Sequence, residues 1–316
     1  MEPTMIVCLE NMSAELIKRI EDQTSEKVII LKEEDDPSEL LPQADIIMAF
    51  NRIGIDHIKH CKKLKWLYVM SAGVEGIPFD ELAQMGVRVT NASGIHVTQM
   101  SEYCIGIMIA LDRKFHDCMK NQQRRIWDRN MQVTELYGKT LCIVGAGSIG
   151  CELARKAKAF DMRVVGIKRH AGPLENFDEV SGMSRFHEYL AQADYVVLLT
   201  PLTDETYHLF GAREFSLMKN SAVFINMSRG DTVDEKALTA ALKSGEISAA
   251  GLDVFHNEPL EHDSELWGFE NVMITPHNSG ATPEYLDRAV SLFIKSYDCY
   301  SRNEALPNLV DLKLKY

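Results

Sequence analysis

The apolar positions of this chain fall first into short β-branched runs that alternate with amphipathic stretches. Residues 4–9, 27–31, 45–50, 66–70 and 87–91 predict strands, 13–21 and 78–84 predict helices, and 55–60 predict a helical turn. That rhythm implies a parallel sheet with helices on its faces. Residues 98–122 carry an apolar stripe that predicts one long helix crossing into a second domain. From residue 140 the rhythm restarts, with strands predicted at 140–144, 163–167, 195–199, 222–226, 249–253 and 272–275. A final helix is expected over 282–303, and the tail at 309–314 is expected to return to the first domain. The pattern thus predicts an α/β chain of two doubly wound parallel-sheet domains. One is discontinuous (1–97 plus 283–316) and the other continuous (98–282).

The second domain opens with a run that carries chemistry. Thr140 to Val144 reads as a buried strand, and Gly145-Ala146-Gly147-Ser148-Ile149-Gly150 follows at G-x-G-x-x-G spacing. Leu153, Ala157 and Phe160 then recur at helical intervals. Strand, glycine turn and helix together form a dinucleotide-binding fingerprint of the Rossmann type. The first glycine permits the tight turn, the second the approach of a pyrophosphate, and the third close packing of helix on strand. In such sheets ligands sit beyond the carboxyl ends of the strands. There the sequence places Lys168-Arg169-His170, Thr200-Pro201-Leu202-Thr203, Asn226-Met227-Ser228-Arg229-Gly230-Asp231, the segment from Asp253 to Pro259, and Thr275-Pro276-His277-Asn278-Ser279-Gly280. The first domain has no glycine-rich phosphate turn after its first strand. Its most telling segment is Ser71-Ala72-Gly73-Val74, small residues after a buried strand whose backbone N–H groups suit a carboxylate. An ordinary strand-to-helix loop fits those residues equally well.

Composition narrows the partners. A net charge of −12 over 316 residues excludes a nucleic-acid partner, because no basic stripe is available to displace counterions. The acidic run Glu33-Glu34-Asp35-Asp36 reads as a solvated loop. Seven cysteines without a C-x-x-C pair imply reduced thiols and a cytoplasmic location. The apolar run from Cys104 to Leu111 is too short to span a bilayer, so no membrane association is expected. The histidines, His57 and His60 among them, show no metal-site spacing, so no metal is expected. His96 and Trp127 are read as a solvated histidine and a packed aromatic, with a place in the cleft or a dimer contact as the alternative.

Over essentially its whole length the chain resembles the D-isomer-specific 2-hydroxyacid dehydrogenases, a group that includes glyoxylate/hydroxypyruvate reductases. The resemblance rests on the 145–150 fingerprint and on the segments 226–231, 252–259 and 275–280, in that order and spacing. It implies two Rossmann-like or flavodoxin-like domains with an interdomain cleft, paired as a homodimer through the cofactor domain. It also implies that His277 is the acid/base, Glu258 the carboxylate that orients it, and Arg229 the planar fork for the substrate carboxylate and carbonyl. Ser71, Ala72, Gly73 and Val74 would receive the other end of that carboxylate. Asp253 would lie near the nicotinamide carboxamide. Thr200, Pro201, Met227, Ser228 and Gly280 would line the cofactor with the fingerprint residues.

One departure bears on cofactor choice. NAD enzymes of this fold usually place an acidic residue after the second strand to hold the ribose 2′-hydroxyl. Here Lys168 and Arg169 stand in that place, which suits a 2′-phosphate. The expected cofactor is therefore NADP, with NADPH preferred over NADH by about 100-fold. Two alternatives stay open: an NADPH-sensing binding protein like the C-terminal-binding corepressors, and an authentic phosphoglycerate dehydrogenase.

Overall fold

The computed structural model describes residues 4–32, 34–50 and 53–314. The chain divides into two compact units, Met1–His96 with Thr282–Tyr316, and Val97–Ala281.

In the first unit, β1 (Ile6–Cys8), β2 (Val28–Ile30), β3 (Ile46–Ala49), β4 (Trp66–Val69) and β5 (Arg88–Asn91) form a parallel sheet in the order β2-β1-β3-β4-β5. Helices α1 (Ala14–Thr24), α2 (Pro37–Leu40), α3 (Ile55–Ile58) and α4 (Phe79–Gln84) connect the strands. Strand side chains alternate between two cores: Trp66 and Tyr68 face one, Leu67 and Val69 the other. A C-terminal helix, Tyr285–Ser301, covers the Trp66 face. The Trp66 ring stacks 5.2 Å from both Phe293 and Tyr300, and Tyr68 donates to the Ala289 carbonyl at 2.8 Å. The tail then pairs with β5, where the Val310 amide donates to the Val89 carbonyl at 2.8 Å. The acidic run has a local job as well as a solvated surface. Asp36 caps α2 by accepting from the Ser38 amide, and Asp35 accepts from the Lys32 amide; Glu33 lies outside the described residues.

The second unit comprises α5 (Val97–Asp112), α6 (Phe115–Arg124), β6 (Thr140–Val144), α7 (Ser148–Lys158), β7 (Arg163–Ile167), β8 (Glu179–Ser181), α8 (Phe186–Gln192), β9 (Tyr195–Leu198), α9 (Ala212–Leu217), β10 (Val223–Asn226), α10 (Glu235–Ser244), β11 (Ala249–Leu252) and β12 (Val272–Ile274). Its seven parallel strands run β12-β11-β10-β9-β6-β7-β8, so strand order reverses between β6 and β9. Leu141 and Ile143 point into one core, Cys142 and Val144 into the other.

Two expectations are corrected here. The single helix over 98–122 is two helices, broken where Lys114 takes a left-handed φ of +55°. The apolar stripe ends there: Asp112 turns inward to the Tyr195 hydroxyl, and α6 buries no residue. Trp127 is not packed but 90% exposed. Strand β8, which carries one strongly apolar residue, was not anticipated. His96 is half-buried, edge-on to the Tyr285 ring at 5.2 Å. All seven cysteines are unpaired. Among the described residues no helix is long and apolar enough to cross a membrane.

Candidate active site

The reversal of strand order brings the ends of β6 and β9 side by side, and the glycine turn lies there. Gly145 has φ +100°, and a Cβ on it would stand 2.7 Å from the Leu199 carbonyl carbon and 2.8 Å from the Thr200 nitrogen. A Cβ on Gly150 would meet the Gly145 oxygen at 2.9 Å and the Ile143 side chain at 3.0 Å. These two glycines are fixed by backbone shape and by helix-on-strand packing. Gly147 differs. It is the N-cap of α7, offers no side chain to the helix start, and has nothing within 4 Å of where a Cβ would lie. The opening amides of α7 thus have no side-chain cap, and the positive end of the helix dipole lies at this turn. Thr200 adds a hydroxyl that is buried and without a hydrogen-bond partner. An uncapped helix start, an open glycine and an orphaned hydroxyl at one switch point fit the pyrophosphate of a dinucleotide.

The next three strands carry the charged groups. β10, β11 and β12 are neighbours in parallel register, with Asn226 opposite Leu252 and Leu252 opposite Ile274. Arg229, Glu258 and His277 thus emerge from three adjacent strand ends. After β10, Asn226 organises the loop: its side chain accepts from the Ser228 amide at 3.0 Å and the Ser228 hydroxyl at 2.7 Å, and donates to the Arg229 carbonyl at 3.2 Å. Met227 and Ser228 are consequently buried, while Arg229 is half-buried with Nη1 donating to the Ser228 carbonyl at 2.8 Å. A Cβ on Gly230 would lie 2.0 Å from the Phe255 carbonyl carbon, so the β10 loop rests directly on the β11 loop. His256 spans the same seam to Asp231, and that partner raises the His256 pKa above its ordinary 6.5.

His277 Nδ1 meets Glu258 Oε2 at 2.7 Å, with both side chains partly exposed. The His277 backbone is left-handed, φ +49°, a conformation open to few residues besides glycine. Asp253 holds it there. Its carbonyl accepts from the His277 amide at 2.8 Å, and its fully buried carboxylate accepts from the Thr275 hydroxyl at 2.6 Å and the Asn278 and Ser279 amides at 3.0 and 2.9 Å. Tyr103 of α5, its phenol pKa raised by burial, donates to Asn278 Oδ1 at 2.9 Å. Asp253 therefore shapes the histidine loop from inside. Sequence patterns did not identify Tyr103, since it sits unremarkably in an apolar helix. Gly280 receives the Gln99 side chain on its carbonyl at 3.1 Å.

At the other end of the same sheet edge, Lys168 is half-buried after β7 and Arg169 is exposed. Arg169 is paired with a carboxylate from another loop. Its Nη2 donates to Glu205 Oε2 at 2.8 Å. Pro201 is exposed beside Thr200. In the first unit, the Ser71 hydroxyl donates to the Gly73 carbonyl and Asn91 donates to the Ala72 carbonyl, both at 2.8 Å. Val74 is buried. Among the described residues no three or more His, Cys, Asp or Glu side chains are arranged to hold a metal ion.

Comparison with known proteins agrees with this geometry. Residues 105–279 match the NAD-binding domain of the D-isomer specific 2-hydroxyacid dehydrogenases. The glyoxylate reductase of Korarchaeum cryptofilum is 33% identical over 297 residues, 91% of this chain and 86% of its own length. The D-3-phosphoglycerate dehydrogenase of Methanocaldococcus jannaschii is 31% identical over 97% of this chain, which spans 59% of that longer relative. Among solved structures, a D-isomer specific 2-hydroxyacid dehydrogenase family protein from Aeromonas salmonicida is 32% identical, with a TM-score of 0.88 over 98% of this chain and all of its own. The glycine turn, the three charged strand ends and these matches place the chain in the D-isomer specific 2-hydroxyacid dehydrogenase family.

Proposed function

We propose that the protein reduces a small 2-oxo acid, such as glyoxylate or hydroxypyruvate, to the D-2-hydroxy acid with NADPH. The observation that carries this reading is the His277–Glu258 pair at 2.7 Å, which follows the two strands next to that of Arg229 on the edge that also bears the glycine turn. The bound nicotinamide supplies the hydride. Glu258 holds Nδ1 of His277, which leaves Nε2 to give a proton to the forming alkoxide. Arg229 offers two parallel N–H groups to the substrate carboxylate and carbonyl. Ser71, Ala72, Gly73 and Val74 present backbone amides to the carboxylate. Asp253 would act on the nicotinamide end only through the loop it holds, and Thr200, Pro201, Met227, Ser228 and Gly280 would line the cofactor.

Lys168 and Arg169 favour a 2′-phosphate, and the residues directly after β7, Lys168 to His170, include no carboxylate to hold a 2′-hydroxyl. The assembly we propose is a homodimer. Phe115, Met119, Ile126, Trp127, Val133 and Tyr137 are all at least 41% exposed along one stretch of the cofactor-binding unit, an apolar surface that suits a second copy. Seven free thiols support a cytoplasmic location.

The test is NADPH and NADH oxidation at low salt with a panel of glyoxylate, hydroxypyruvate, branched 2-oxo acids and phosphohydroxypyruvate. Turnover of the small acids with NADPH supports the proposal. Turnover confined to the phosphorylated acid identifies a phosphoglycerate dehydrogenase instead. Tight NADPH binding without turnover identifies a sensor.

A further inference from the structure

We infer that Glu205 weakens the binding of 2′-phosphorylated cofactor by competing with the phosphate for Arg169, and so sets how strongly the chain prefers NADPH. The inference rests on the NADP(H) reading above and names a residue toward which no sequence pattern pointed.

Arg169 follows β7, and Glu205 lies in the loop after β9, with β6 and its glycine turn between the two strands. The pair at 2.8 Å therefore bridges the edge beside the place where the pyrophosphate fits. The backbone that presents Glu205 is fixed. The Thr206 hydroxyl accepts from the Thr203 amide at 2.8 Å and donates to the Pro201 carbonyl at 2.6 Å. The Thr206 and Tyr207 amides both donate to the Thr203 carbonyl, and the His208 amide donates to the Asp231 carbonyl at 2.8 Å. This folded turn holds the carboxylate near the guanidinium.

A 2′-phosphate approaching Arg169 must displace this carboxylate or share the guanidinium with it, and the two anions repel. NADH brings no such charge and leaves the pair intact. The penalty thus falls on one cofactor only. Glu205 is 74% exposed and Arg169 51%, so screening keeps the effect modest, about threefold to fivefold in affinity at low salt.

Calorimetric titration of NADPH and of NADH into wild type, Glu205→Gln, Arg169→Ala and the double variant tests this. Glu205→Gln is expected to tighten NADPH about threefold to fivefold and to leave NADH unchanged. The gain should shrink with added salt and vanish in the Arg169→Ala background. Unchanged NADPH affinity in Glu205→Gln, equal tightening of both cofactors, or a gain that survives Arg169→Ala overturns the inference alone. Unchanged NADPH affinity in Arg169→Ala also overturns it, whereas NADPH binding no tighter than NADH in wild type fails the NADP(H) reading itself and takes this inference with it.

Discussion

The two units answer the same architectural question in opposite ways. In each the first strand leads into a helix, and the strand order reverses beside that strand. In the first unit the helix start is closed by its own sequence: Ser13 caps α1 by accepting from the Leu16 amide. Glu10, just beyond β1, fills the reversal point by accepting from the Phe50 amide at 3.0 Å. In the second unit Gly147 leaves the start of α7 uncapped, and an orphaned Thr200 hydroxyl stands where the first unit has a carboxylate. A closed cap and an acidic side chain repel phosphate; an open cap and a neutral hydroxyl receive it. A doubly wound sheet offers the crevice, and the residues at its rim decide whether an anion enters.

Substitutions can break this contrast. Arg229→Lys keeps the charge on the second sheet's edge but loses the planar fork. The expected cost in kcat/KM is about 2–4 kcal/mol, shared between a higher KM and a lower kcat. Steady-state kinetics near wild-type values would remove Arg229 from the site. Gly147→Ser makes the second unit resemble the first. The backbone conformation and the open space admit the side chain. The hydroxyl would then cap α7, so NADPH affinity should fall about tenfold, a loss of about 1.4 kcal/mol, with no loss of thermal stability. Undiminished binding would mean that the α7 amides do not hold the pyrophosphate.

The converse change is smaller and purely structural. Ser13→Ala opens α1 at a cost of about 1 kcal/mol, read by denaturant unfolding, and should leave cofactor affinity unchanged. The smallest effect concerns the seam between the Arg229 and Glu258 loops. Asp231 raises the His256 pKa, so the ion pair is complete below the ordinary 6.5 and is lost as pH rises through the elevated folded value. NMR titration should therefore give a midpoint above 6.5 for His256, and Asp231→Asn should bring it down. A midpoint indifferent to Asp231→Asn would dissolve the seam.

Sequence made legible those features where one local rule acts alone. The glycine turn was readable because Gly145 and Gly150 answer to steric limits that few other residues satisfy. The strands were readable because their apolar runs are continuous, as burial on both faces requires. Other features needed the third dimension. The break at Lys114 comes directly after Asp112, which pairs with Tyr195, 83 residues away. The Arg169–Glu205 pair joins residues 36 apart on two loops that only the strand order brings together. Asp253 was visible as a polar residue at a strand end. Its grip on the histidine loop depends on the register of β11 against β12. Trp127 was misread because aromatic residues usually pack, and nothing local marks the exception.

In the mechanism we propose, His277, held by Glu258 on the second sheet's edge, supplies the proton in reduction. Single-turnover oxidation of bound NADPH by the best acid of the panel, compared in wild type and His277→Gln with NADPH affinity measured alongside, tests it most directly. The rate should fall by about 10²–10⁴-fold in His277→Gln while NADPH affinity holds. A His277→Gln rate within a few-fold of wild type, at full NADPH occupancy, would contradict it.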